Sequence, residues 1–354
     1  MGTNRILLVG LIFLLNASSL FPRSWEEKKD TLIHAEEEFN TSEFILGHIA
    51  DSHEWHILTT PGGKSVAIFL PVIIYSRYTG LHIFSSRLIA HGHKHDGFYL
   101  AEEGEQEGRI IESGHADVEG VDYLPLDFSI TKNVTAMMIA ALIGLLLFIS
   151  LARSYQKTGI SEPRGLQSFL EPLILFVKDD IVIPNLGEAK SDRYLPYMLT
   201  VFFFILINNL LGMIPFFPFG ANVTGNIAVT LILAFFTFLI TQFSGNRNYW
   251  RHIFATPGVP FWLLPIMIVV ELIGMLSKPF ALMVRLFANI TAGHIIILSL
   301  ISLIFMFKTI WIAPASIGFV LFMDFLELLV AFLQAYVFTL LSSLFIGLAI
   351  EEHH

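Results

Sequence analysis

The stretch Pro279–Phe305, PFALMVRLFANITAGHIIILSLISLIF, decides how this chain is read. It is apolar over most of its length, yet it carries Arg285, Asn289 and His294. A guanidinium stays charged in any surroundings a protein offers, because its pKa lies above about 12. Placing one at mid-membrane costs roughly 2.5–3.5 kcal/mol on insertion scales. A leucine would remove that cost. Apolar residues flank Arg285 on both sides, which argues against an arginine snorkelling from a helix end. Arg285 therefore reads as a functional charge with a partner to find.

Composition agrees with a membrane setting. Of 354 residues, 54% are hydrophobic and 14% charged, and the mean hydropathy is +0.67. Working outward from Arg285, the apolar run extends over Phe261–Phe307 and is followed by Ala313–Ile350. Three more apolar runs precede them, Val134–Leu151, Leu195–Phe217 and Val223–Phe243. Backbone groups in lipid must be satisfied within the segment, so all five are expected to be helices. The polar connector Arg153–Arg193 contains an amphipathic stretch, Leu166–Val177, expected to lie at the interface. A helix of 47 residues, Phe261–Phe307, would be on the order of 70 Å long, against a hydrocarbon core of about 30 Å. Such a helix must tilt or kink, and Pro279 is the natural kink. The last two runs are expected to form a tilted antiparallel hairpin.

The hairpin sorts its polar residues into layers. The long segments hold Glu271, Lys278, Arg285, Asn289 and His294, then Asp324, Glu327 and Gln334. Arg285 and Asn289, four apart, share a helix face. The pairs Arg285 with Gln334 and His294 with Glu327 are both centred on residues 309–311, within the only proline-bearing break, Lys308–Pro314. Each pair is thus expected to be level. Histidine and glutamate can exchange protons near working pH, so the second layer suits a proton relay. Arg285 cannot relay protons. It can hold a fixed charge, with Gln334 and Asn289 to orient it, and attract a carboxylate. This chain offers none at that level, so the carboxylate is expected from another subunit.

The rest of the chain divides by charge. Residues 24–130 hold 19 acids and 7 Lys or Arg, with nine of the 13 histidines. They read as a small β-rich extramembrane domain. Trp25–Glu43 is expected to be helical, with strands at Glu54–Thr59, Ser65–Tyr75, Gly80–Ser86, Phe98–Ala101 and Arg109–Glu112. The run His91-Gly-His93-Lys-His95 lacks an ordered ligand spacing and reads as a solvated polar loop rather than a metal site. Residues 1–20 have the pattern of a secretory signal: Arg5, then the apolar Ile6–Leu15, then small residues. Basic residues crowd the connectors after the first and third spans, which places those connectors in the cytoplasm. The acidic domain is then outside and the C-terminal tail inside. With no cysteine there is no disulfide or thiolate site. No cofactor, nucleic-acid partner or soluble catalytic set is expected, since there is no phosphate loop.

The segment SKPFALMVRLFANITAGHIII (Ser277–Ile297), Glu327 and LQAYVFTLL (Leu333–Leu341) resemble subunit a of F-type ATP synthases. The resemblance covers about residues 131–354. Asn209-Leu-Leu-Gly-Met-Ile-Pro215 resembles the family's stretch in the second span. The extended outer domain is similar to that of Bacteroidota-like members. The resemblance implies an all-α polytopic membrane stator of five spans beside a rotating c-ring, with subunit b as a further partner and ATP chemistry in other subunits. It implies that Arg285 faces the c-ring carboxylate and separates two half-channels. His294 and Glu327 would line the outer half-channel and Glu271 the inner exit. Asn289, Gln334, Asn209, Asp324 and Lys278 would support the path. The family's acidic residue three positions after the asparagine is Gly212 here, so the outer path is expected to be lined differently. The alternative reading is a secondary transporter or channel with an arginine gate; the absence of inverted repeats argues against it.

Overall fold

The computed structural model describes residues 49–59, 65–101, 106–113, 123–158, 165–214, 218–255, 259–307 and 310–351, with isolated residues at 41, 45, 47 and 104. The signal reading at residues 1–20 and most of the helix expected at Trp25–Glu43 lie outside the described residues. The chain divides into two units. Residues 1–39 with 56–67 form one, and residues 40–55 with 68–354 form the other. Within the second unit, Asp51 is bonded to Thr131 and Asn133 at the start of the first long helix.

Among the described residues, seven strands precede the long helices: β1 (Glu54–Thr59), β2 (Ser65–Phe69), β3 (Pro71–Ser76), β4 (Gly80–Ser85), β5 (Phe98–Leu100), β6 (Ile110–Glu112) and β7 (Leu126–Asp127). They form three small sheets, with orders β1-β2, β4-β3-β7 and β5-β6, the latter two antiparallel. The single strand expected at Ser65–Tyr75 is two, because Leu70 leaves the ladder to bond His53 O and accept from Ser86 N. Val72, Ile74, Ile89, Phe98 and Ile110 make the sheet core. Strand β7 had no signal of its own, being two residues long.

The helices follow: α1 (Lys132–Thr158), α2 (Leu166–Leu175), a π-helical segment Phe176–Val182, α3 (Ile183–Leu186), α4 (Glu188–Gly212), α5 (Ile227–Ser244), α6 (Arg247–Phe254), α7 (Leu264–Phe307) and α8 (Ala313–Ile350). Five of them, α1, α4, α5, α7 and α8, are long and apolar enough to span a membrane. The second span begins earlier than expected, at Glu188, and stops at Gly212 rather than Phe217. The third begins at Ile227 rather than Val223, where the Asn226 side chain accepts from Ala228 N and caps the helix. The intervening loop folds back into the bundle, with Ala221, Asn222, Val223 and Thr224 all buried. Helix α7 continues through Pro279 without ending.

Contacts at the two ends fix the up-and-down course. Beside the β-sheets, Trp55 packs with Ala136 of α1 and with Ala221 and Val223 of the α4–α5 loop. Asp51 accepts from Thr131 Oγ1 and from Asn133 N, and so caps α1. At the other end, Lys190 of α4 and Asn246 after α5 both donate to Ile350 O of α8, at 2.9 and 2.7 Å. The connector packs closely on α8 there. A β-carbon on Gly347 would fall 2.3 Å from Asn185 O, so only glycine fits. Several hydroxyls inside the spans return to their own helices, as Thr339 does to Ala335 O and Thr241 to Thr237 O.

Candidate proton path and exposed arginine

Helices α7 and α8 form the expected antiparallel hairpin, and three cross-helix contacts set its register. Ser316 Oγ donates to Leu300 O near the turn. His294 Nδ1 lies 2.6 Å from Glu327 Oε1 at the next level. Lys278 Nζ stands 5.4 Å from the centre of the Phe345 ring towards the far end. The histidine and glutamate are level, as the spacing predicts, and both are shielded: 17% and 6% of their side chains are exposed. The approach is not aligned as a formed hydrogen bond, and neither atom has another polar partner among the described residues. Two groups that each bind one proton, held this close and this dry, can pass it between them. Gly293 makes the approach possible, since a β-carbon there would sit 3.1 Å from Glu327 Oε1. Asp324, half-buried, lies one turn from Glu327 on α8.

A second polar step lies one turn deeper. Asn209 Nδ2 donates to Ala331 O at 3.2 Å, and Thr224 Oγ1 donates to Asn209 Oδ1. Thr291 of α7 donates to Gly225 O. The folded-back loop is thus bonded to α4 through Thr224 and to α7 through Gly225, and Asn222 accepts from Gly225 N within it. Asn222 Nδ2 and Asn208 Oδ1 are buried without a partner among the described residues. Buried polar atoms of this kind are ordinarily satisfied by water. At Gly212 a β-carbon would meet Ala221 O at 3.2 Å. The loop backbone therefore fills the space beside Gly212, and neutral amides and a hydroxyl line this part of the interior.

Arg285 differs from all of these. It is exposed, and no ion pair or hydrogen bond engages it among the described residues. Leu282, Leu286 and Ile290 are the buried face of this part of α7. The outward face is Ala281, Arg285, Ala288, Asn289 and Ala292, all exposed. Bulky Phe280 and Val284 lie towards one end and Ile295 and Ile296 towards the other. The arginine therefore sits in a shallow stretch of small side chains, where another helix can approach closely. Gln334 is level but buried, 6% exposed, and no bond joins it to Arg285. Asn289 shares the outward face, and no hydrogen bond joins it to Arg285. The orienting bonds expected from Gln334 and Asn289 are thus not formed, because Gln334 faces the interior of the bundle while the guanidinium faces out.

At the far end Glu271 Oε1 lies 3.8 Å from His252 Nδ1 of α6, with 30% and 56% of the side chains exposed. Tyr249 on the same helix hydrogen-bonds Gln242. Burial raises the Tyr249 pKa; the Gln242 bond opposes the rise and the charge of Glu271 adds to it. Sequence reasoning found Glu271 but not His252, Thr224, Asn222 or Gly293. His252 and Thr224 belong to connectors whose return to the bundle leaves no periodic signal. Gly293 could have been found, since a glycine beside a level His–Glu pair is where side-chain room is needed.

A multi-span membrane protein with a close, shielded His–Glu pair and an outward arginine without a partner among the described residues has the makings of a proton-conducting subunit that works against a neighbour. Comparison with known proteins specifies the class. A family model described as ATP synthase A chain matches residues 134–347, and another described as a domain of unknown function matches residues 44–128. ATP synthase subunit a of Chloroherpeton thalassium is 46% identical over 260 residues, 69% of this chain and 76% of that protein. That of Anaeromyxobacter sp. (strain Fw109-5) is 41% identical over 317 residues, 87% and 70% of the two chains. That of Myxococcus xanthus is 45% identical over 252 residues, 70% and 80%. This chain belongs to the ATP synthase subunit a family. It is a multi-pass inner-membrane subunit that moves protons and leaves catalysis to other subunits.

Proposed function

We propose that Arg285 is the charge this stator presents to the carboxylates of the c-ring, and that the polar groups behind it are its proton path. The chain is the membrane stator of an F-type ATP synthase, partnered by the c-ring and subunit b. The observation that carries the residue assignment is the exposed, unpaired Arg285 set among Ala281, Ala288 and Ala292. A fixed cation in a low-dielectric seam favours the ionised form of a passing carboxylate, which then releases its proton. Because the guanidinium cannot itself carry a proton, it also blocks direct passage between the two sides.

His294 and Glu327 carry protons on one side of Arg285, with Asn209 and Thr224 as the next step inward and Asp324 beside them. Glu271, with His252, serves the other side, and Lys278 lies between it and the arginine. The domain of residues 24–130 lies outside the cell membrane, the C-terminus lies in the cytoplasm, and residues 1–20 act as the export signal. The basic connectors support this orientation, since Arg153, Lys157, Lys190, Arg193, Arg247 and Arg251 all fall towards the end away from the β-sheets. The assignment is tested by Arg285→Ala in the assembled enzyme. ATP-driven proton pumping into inverted vesicles should be lost while the complex still assembles. Wild-type pumping would refute the role.

A further inference from the structure

The outward face of the β4-β3-β7 sheet is apolar where an antiparallel sheet ordinarily turns polar side chains to water. The register pairs Tyr75 with Leu81 and with Leu126, and Ile73 with Ile83. Directly paired residues share a face, and Phe128, two residues beyond Leu126, continues it, with Phe128 N donating to Ile73 O. Tyr75, Leu81, Ile83, Leu126 and Phe128 are 46%, 61%, 65%, 53% and 63% exposed. The opposite face carries Val72 and Ile74, both at 0%, in the sheet core. The strands contribute no charged side chain to the outward face. Soluble domains seldom leave such a contiguous patch bare.

The sheet's position says what covers it. Ile130 N donates to Pro71 O, so the ladder runs on almost to the start of α1. Lys132 N then donates to Ser52 O, and the Asp51 carboxylate binds Thr131 and Asn133. Helix α1 is a membrane span. From Phe128 to Lys132 the chain can reach at most about 14 Å, and the headgroup layer beside the hydrocarbon core is roughly 5–7 Å deep. Phe128 and Ile83 lie at the end of the sheet nearest the span. Tyr75 on the patch, and Tyr78 just beyond it, are residues that favour the membrane interface. Exposed Arg87 stands past the near end of β4, where a lipid phosphate would sit.

We propose that this sheet face rests in the headgroup region of the lipid leaflet from which α1 enters the membrane. The inference goes beyond the assignment of the proton path and does not depend on it.

The chain has no cysteine, so a single fluorescent label can be placed at Ile83→Cys in the full-length subunit within the assembled synthase. The complex is reconstituted in phosphatidylethanolamine–phosphatidylglycerol vesicles, with or without a nitroxide on the lipid headgroup. The label at Ile83→Cys should lose about half its emission to the nitroxide, as for an interfacial residue. A label at Glu107→Cys, in the exposed turn before β6, should lose much less. Leu81→Cys, on the same face, repeats the test should the first variant assemble poorly. Quenching at the sheet no stronger than at Glu107 would overturn the proposal. Emission that is blue-shifted but unquenched would also overturn it, and would point to a protein cover.

Discussion

His294 Nδ1 and Glu327 Oε1 stand 2.6 Å apart across the α7–α8 hairpin, and Gly293 leaves the room for that approach. An added methyl at 293 would lie 3.1 Å from the carboxylate oxygen, so the carboxylate must give way by a few tenths of an ångström. Gly293→Ala should therefore leave assembly intact and slow ATP-driven proton uptake roughly three- to tenfold, since small misplacements of reacting groups are costly. Uptake at the wild-type rate would show that the distance is not critical.

His294→Ala removes one of the two proton-binding groups held 2.6 Å apart at this level. Passive proton conductance of the membrane sector should then fall more than about tenfold, since a positioned proton-transfer group ordinarily contributes more than that. Exchanging the two residues, His294→Glu with Glu327→His, keeps a titratable pair at the same level. The double variant should conduct better than either single change. A double variant no better than the singles would separate the two residues into independent roles.

Glu271 and His252 make a looser pair, 3.8 Å apart and well exposed on the histidine side. Exposed ion pairs are worth about 0–1 kcal/mol, so His252→Ala should change pumping by about twofold or less. Glu271→Gln removes a proton-binding group and should slow pumping several-fold more than His252→Ala. Equal effects would mean that the histidine carries protons itself.

Asp127 offers a pH test of the domain that is independent of transport. Burial raises its pKa, but hydrogen bonds from His53 and from Ser129 outweigh this and hold it below the ordinary 3.8. A carboxylate with a lowered folded pKa stabilises the fold above its unfolded value and loses that contribution as pH falls through the folded value. The thermal stability of the wild type should exceed that of Asp127→Asn near neutral pH. The gap should close as pH drops below about 3.8. A gap that is constant with pH would mean that the carboxylate charge is not involved.

Much of this was legible in the sequence, for physical reasons that differ by element. The hairpin register followed from the symmetric placement of His294 and Glu327 about the Lys308–Pro314 break, because a straight antiparallel pair leaves little freedom. The last span came out at Ala313–Ile350, bounded by a proline and a charge. The second and third spans were misjudged at the ends they share. Hydropathy cannot distinguish apolar residues that continue a helix from those, such as Val223, that fold back and bury in a loop. The same loop hid Thr224 and Asn222. Arg285 was found by its cost alone. Its expected bonds to Gln334 and Asn289 were not formed, since a level position does not fix which way each helix face turns.

The central claim is that the face bearing Arg285 meets the c-ring. The cysteine-free chain allows the direct measurement, which is disulfide formation in the assembled complex between Ala288→Cys and a cysteine placed next to the c-subunit carboxylate. Leu231→Cys, exposed on α5, serves as the comparison. Cross-linking should be rapid from position 288 and absent from position 231. No cross-link from position 288 in a complex that assembles and hydrolyses ATP, or an equal yield from position 231, would contradict it.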